Sequence, residues 1–188
     1  MIYPCETWEK TLVNESIAQM TLRPRRENAL SRKERLAVMP KFDVTDEFVI
    51  DAPPMVVYKA LLNEFAGVTH LFMPYYEFKL KGDIPIDHEG ANFDIVVRAR
   101  GMTSKLSAKI TKIVDAKSLE VEYAGNIIAT EEYTFEPTNG KTKVKLRFNG
   151  RTNSLLMSLF SPFVNFGKGH TDMVQKGFKA LNSYLNKK

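Results

Sequence analysis

The chain has 188 residues, 44% of them apolar and 26% charged, the balance of one soluble globular domain with or without an extension. A single cysteine, Cys5, excludes an intrachain disulfide framework, and no apolar run approaches the ~20 residues of a membrane span. The net charge of +5 is concentrated in residues 21–41, where Arg23, Arg25, Arg26, Arg32, Lys33, Arg35 and Lys41 face only Glu27 and Glu34, so a nucleic-acid-binding face on the rest of the chain is not expected.

Trp8, Leu12, Ile17 and Met20 fall at roughly helical spacing, a weak sign of a short amphipathic helix. Ser31-Arg-Lys-Glu34 has the capping-box form and suggests a second short helix to about Met39, ended by Pro40. Residues 1–40 therefore read as an N-terminal extension, and residues 41–188 as the main domain. The basic segment 21–41 has the chemistry to dock on an acidic partner or an anionic membrane surface. The first residues carry no basic or strongly apolar stretch, so the expected location is the cytoplasm.

From Phe42 to Ile50 the chain alternates as a strand, and Asp51-Ala-Pro-Pro54 stops it. Asp51 is a candidate cap for a helix from Met55 to Phe65, with Val57, Ala60, Leu61 and Phe65 on one side. Residues 66–74 read as a short helix or a loop.

Strands then follow one another, each bounded by turn residues. Tyr76, Phe78 and Leu80 form one inner set; Phe93, Ile95, Val97 and Ala99 the next; then Leu106, Ala108 and Ile110. Leu119, Val121 and Tyr123 follow, then Ile127, Ala129, Glu131, Tyr133 and Phe135, and finally Val144, Leu146 and Phe148. One apolar face per strand, with no helical pattern between strands, describes an antiparallel meander with one wet side.

The chain ends in a helical stripe of Leu155, Leu159, Phe163, Phe166, His170, Met173, Val174, Gly177, Leu181 and Tyr184, interrupted near Pro162 and Gly167.

Strand, two helices, about six strands and a long helix, in that order, resemble the START-like, helix-grip superfamily, in particular the polyketide cyclase and lipid-transport branch of SRPBCC domains. Three stretches carry the resemblance. The first is Phe48 to Leu62, a strand entering a helix through Asp51-Ala-Pro-Pro54. The second is Phe78-Lys-Leu-Lys-Gly-Asp83 with Gly90-Ala-Asn-Phe93. The third is the hairpin Tyr133-Thr-Phe-Glu-Pro-Thr-Asn-Gly-Lys-Thr-Lys-Val144. The likeness covers about residues 42–187 and leaves the extension outside.

The resemblance implies an α+β helix-grip fold, a curved antiparallel sheet of about six or seven strands wrapped on the C-terminal helix, with an apolar cavity between them. It implies a carrier or sensor of a hydrophobic small molecule such as a lipid, sterol or polyketide-like compound. The alternative is an aromatase/cyclase- or dehydratase-type enzyme acting in the same cavity, and fold alone does not choose between them. Phe93, Ile95, Val97, Phe163, Phe166 and Met173 are the expected apolar lining.

His170 lies on the apolar stripe of the helix, either as a core histidine with a local partner or as a ligand-binding or acid/base group. Glu131 lies at the inner parity of its strand, unless a bulge turns Glu132 inward or both outward. Parity marks Glu131 as the ionisable group facing the helix, so His170 and Glu131 are expected to pair, with Tyr133 and Tyr123 as nearby hydroxyl donors.

Asp94, Arg98, Arg100 and Lys109 take the outer parity of a wet face, and Tyr75, Tyr76 and His70 cluster near the expected mouth. His70, His88, His170 and Cys5 are scattered, so no metal site and no cofactor are expected. No Ser-His-Asp or Cys-His set and no phosphate loop is visible, so no catalytic residue is assigned, and the protein is read as a monomer or a dimer.

Overall fold

The structure is a computed structural model that describes residues 41–99, 101–153 and 166–187, without the side chains of Ala99, Met102 and Phe166. The extension with its two expected helices and its basic residues up to Pro40, Arg100, and the stripe residues Leu155, Leu159, Pro162 and Phe163 lie outside the described residues.

Seven strands form one antiparallel sheet: β1 (Lys41–Ile50), β2 (Tyr76–Lys81), β3 (Asn92–Ala99), β4 (Met102–Val114), β5 (Ser118–Gly125), β6 (Ile127–Thr138) and β7 (Lys141–Thr152). Their spatial order is β1-β7-β6-β5-β4-β3-β2, so β2 to β7 run as a meander and β1 closes onto β7. Two helices are described, α1 (Pro54–Phe65) and α2 (Phe166–Leu185). The β6–β7 hairpin turns on Asn139-Gly140, both at positive φ, between the paired residues Thr138 and Lys141. That is the mirror-image turn whose twist matches right-twisted strands, and Asn-Gly is the pair that tolerates it.

α1 starts as the two prolines direct, with Pro53 at its N-cap and Pro54 in the first turn. Asp51 does not cap it, contrary to the sequence reading. Proline supplies the preset φ and lacks the N–H that a cap would satisfy. Asp51 instead bonds Lys141 and Asn182 and ties the start of α1 to β7 and α2.

Residues 66–74 form turns rather than a helix, because Glu64 organises them from beneath. Its buried carboxylate accepts from Thr69 Oγ1 (2.5 Å), Leu71 N (2.9 Å) and Phe72 N (3.0 Å). Three charge-assisted bonds offset the cost of burying the charge.

The core lies between the concave sheet face and α2. Phe93, Ile95, Leu106, Ala108, Val121, Tyr133, Phe135 and Leu146 are all buried, and Val97 and Phe148 are partly buried, so the inner parity assigned from sequence holds across the sheet. On α2 the stripe differs at its C-terminal end. Phe178 is buried and stacks on Phe48 at 4.2 Å, whereas Tyr184 is exposed. Continuing from Val174 in steps of four and three leads to Phe178 and Leu181, which is the row that meets β1.

Candidate functional site

β6 runs without a register shift, pairing Glu131 with Val121 of β5 and Phe148 of β7. Glu131 therefore points inward and is 4% exposed, while Glu132 is exposed; the bulge that would have reversed them is absent from this strand. α2 brings His170 onto the same spot. Its Nε2 lies 3.4 Å from Glu131 Oε1, and its ring lies flat on Phe148 (4.2 Å, 2°). Phe148 in turn stacks on Phe42 at 4.9 Å, so imidazole and two phenyl rings form a column.

Tyr123 donates a short hydrogen bond to Glu131 Oε2. Burial, and then the Glu131 charge, push the phenols of Tyr123 and Tyr133 well above the ordinary tyrosine value. Tyr76 on β2 is raised in the same way by burial, then by Glu131 and Asp46. All three phenols therefore remain protonated, and Tyr123 and Tyr133 are donors at the Glu131 carboxylate. This arrangement can hold a polar group of a ligand, or hold and pass a proton.

Sequence reasoning named Glu131 as the ionisable group on the inner face, and this needs correction. Asp46 of β1 is also buried and inward, and it accepts from Thr171 Oγ1 of α2 at 3.1 Å. The parity of Phe48 and Ile50 would have revealed it, since Asp46 sits two residues before Phe48. Tyr75, Tyr76 and His70, expected to cluster near the mouth, have different surroundings. The Tyr76 ring packs against Phe72 and Phe78, His70 is exposed, and the Tyr75 hydroxyl accepts from Lys176 Nζ of α2 at 2.8 Å.

The expected apolar lining is packed among other rings. Phe93 stacks on Phe65 at 5.1 Å and is fully covered, and Ile95 is buried beside it. Met173 is partly buried on α2; Phe163 and the Phe166 side chain lie outside the described residues. On the outer face Arg98 pairs with Glu77 at 2.6 Å and Lys81 with Asp94 at 3.3 Å, as expected of a solvated surface.

Two of the concavities lined by described residues open along the sheet. One of about 430 Å³ lies between β1 and α2, lined by residues including Val49, Lys176, Phe178 and Lys179. The other, of about 480 Å³, lies at the far end of the sheet and includes Lys41, Tyr123, Ala129, Gly150 and Arg151, so Tyr123 belongs both to it and to the buried cluster. Among the described residues no group of three or more His, Cys, Asp or Glu could hold a metal ion, and no helix is long and apolar enough to cross a membrane.

No protein-family model matches the chain, and no curated protein matches it in sequence. Solved structures do match. Ara h 8.0201 aligns at a TM-score of 0.58 and 18% identity, covering 79% of this chain and 100% of that one. The Zhui aromatase/cyclase from Streptomyces sp. R1128 aligns at 0.57 and 11%, covering 75% and 94%. Norcoclaurine synthase from Thalictrum flavum, in complex with dopamine and hydroxybenzaldehyde, aligns at 0.58 and 9%, covering 80% and 90%. At such identities the likeness is one of fold. That fold is the helix-grip fold of the START-like, SRPBCC superfamily to which these structures belong, here with seven strands and a C-terminal helix.

Proposed function

We propose that this chain binds a hydrophobic small molecule between the concave sheet face and α2, as a carrier or sensor. His170, Glu131, Tyr133 and Tyr123 form the polar end of the site. Phe93, Ile95, Val97, Phe163, Phe166 and Met173 supply the apolar wall, with rings moving apart to admit the ligand.

The observation that carries this reading is the buried Glu131–Tyr123–His170 cluster in an otherwise apolar interior. Burying a carboxylate and an imidazole costs stability that Leu and Phe would not, so the cluster is better explained by a bound polar group than by folding. The fold likeness to Ara h 8.0201 accords with the reading.

Native mass spectrometry of the purified protein, followed by solvent extraction, tests it. The expected result is a co-purifying apolar compound, or saturable binding of an apolar fluorescent probe to the emptied protein. A protein that is empty as isolated and binds no such probe overturns the proposal.

An aromatase/cyclase- or dehydratase-type activity is the second reading, favoured by one feature. Three protonated phenols, a carboxylate and an imidazole converge, which is more polar chemistry than a carrier needs. The likenesses to the Zhui aromatase/cyclase and to norcoclaurine synthase accord with it. A cytoplasmic location, and docking of the basic segment on an acidic partner or anionic membrane, complete the proposal. Charge reversal at Arg25, Arg26, Arg32 and Lys33 should abolish that docking and leave ligand binding intact.

A further inference from the structure

We propose that the free edge of β1 is a docking surface for an extended acidic polypeptide segment, which adds to the sheet as a further strand beside α2. This surface lies outside the ligand site, and the inference does not rest on the reading above.

β1 ends the sheet, with β7 on one side and no strand on the other. The direction of its backbone groups follows from the β6–β7 hairpin. Its two-residue turn makes the closing pair, Thr138 and Lys141, a hydrogen-bonded pair, and such pairs recur at every second residue. The odd-numbered residues of β7 therefore bond β6, and its even-numbered residues, from Thr142 to Gly150, bond β1. Their partners on β1 are also even-numbered, from Ile50 to Phe42, so the N–H and C=O of Glu47 and Val49 point to the free edge. The next odd position agrees, because Asp51 N–H donates to Asn182 Oδ1 of α2 at 2.8 Å. Among the described residues nothing meets the edge-facing main chain of Glu47 or Val49.

An unpaired strand edge is a template for another strand. Here it forms one wall of the concavity of about 430 Å³ whose other wall is α2. Val49, 57% exposed, offers an apolar contact on the outer side. From α2 come Lys176 and Lys179. Lys176 bonds the neutral Tyr75 phenol, and Lys179 has no ion pair among the described residues. The acids beside the groove are already paired, Glu47 with Lys143 at 2.9 Å and Asp51 with Lys141 at 2.5 Å. Asp172, the acid near Lys176 on α2, does not line the groove. The lining thus offers main-chain bonds, an apolar contact and uncompensated positive charge. A strand lying there turns alternate side chains outward beside Val49 and inward toward the lysines. The segment that fits alternates apolar residues with carboxylates.

The test is fluorescence anisotropy of a labelled Val-Glu-Val-Glu-Val-Glu-Val peptide with the full chain. Opposite Val49 in an antiparallel pair, the valine nitrogens of the peptide are the ladder donors. The expected result is saturable binding, roughly tenfold or more weakened by N-methyl groups on those nitrogens, which leave every side chain in place. A peptide with Lys in place of Glu should lose at least as much. On the protein, Val49→Pro removes the edge N–H without touching the ladder to β7 and should weaken binding about tenfold at any salt concentration. Lys179→Glu should weaken it about tenfold at low ionic strength and less at high.

Absence of saturable binding, undiminished binding of the methylated peptide, or equal binding of the Lys peptide overturns the proposal. So does a dimer in gel filtration that Val49→Pro dissociates, since the edge would then belong to a second copy of the chain. If Val49→Pro lacks the cooperative thermal transition of the parent, the methylated peptide decides on the parent protein.

Discussion

Glu131 is surrounded by donors rather than by a single counter-charge, and its neighbours therefore carry the consequences of its burial. Removing the Tyr123 hydroxyl leaves Glu131 Oε2 without its short hydrogen bond inside the sheet. Tyr123→Phe is expected to lower unfolding free energy by about 1–3 kcal/mol, read from urea denaturation, because a buried charged acceptor loses a donor that water cannot replace. A variant as stable as the parent would mean that Tyr133 or water takes over. The phenols also make a pH prediction. Tyr76, Tyr123 and Tyr133 are held above the ordinary value of about 10, by burial first and Glu131 second. Each therefore binds its proton more tightly in the folded state, so its contribution is complete below about pH 10 and is lost as pH rises beyond it. Phenolate absorbance followed through the alkaline range should show these three ionising only together with cooperative unfolding. Smooth titration of all 7 tyrosines in a folded protein would contradict this.

At the scale of elements, two glycines set how closely the layers approach. On α2, a Cβ at Gly177 would lie 2.2 Å from Phe72 Cδ1. Glycine-to-alanine inside a helix ordinarily gains about 1 kcal/mol. Phe72 is buried against Phe178 and Phe78, and its backbone is held by Glu64, so its ring has no room to swing aside. Overpacking at about 1–3 kcal/mol outweighs the helix gain, and Gly177→Ala is expected to lower the melting temperature. On β7, a Cβ at Gly150 would lie 2.5 Å from Ala129 Cβ and 2.6 Å from the Ile128 carbonyl oxygen. Here the obstacle is partly backbone, so Gly150→Ala should destabilise more than Gly177→Ala in the same melting experiment. The reverse order would show that β6 yields more easily than the Phe72 ring. Helix and strands alike were legible from hydrophobic period, but the end of the α2 stripe was not. The stripe drifts around a helix, and the position of β1 decides whether Phe178 or Tyr184 is covered.

For the whole molecule, the described residues from Lys41 onward already close a seven-stranded sheet over a continuous core that includes α1 and α2. We therefore predict that a chain beginning at Lys41 folds cooperatively and loses little stability, measured by circular dichroism and thermal denaturation. A fragment with no cooperative transition would assign residues 1–40 a structural part in the domain. The helix-grip architecture was legible because its strands come one after another, each bounded by turn residues, so the meander needs no long-range information to be recognised.

Side-chain direction in a strand alternates with period two and depends only on the strand itself, which is why the amino-acid sequence alone determined that Phe93, Leu146 and Glu131 face inward. The helical stripe placed His170 opposite them for the same local reason, and the pairing of His170 with Glu131 followed from the two periods together. Only the tertiary structure decided which inward groups meet beyond that pair. Sheet curvature carries β1 toward α2, joining Asp46 to Thr171 across 125 positions of sequence. Glu64 likewise became the organiser of residues 69–72 only when the chain folded back over it. No periodicity records these meetings, because each depends on the distance between elements rather than on the order of residues within one.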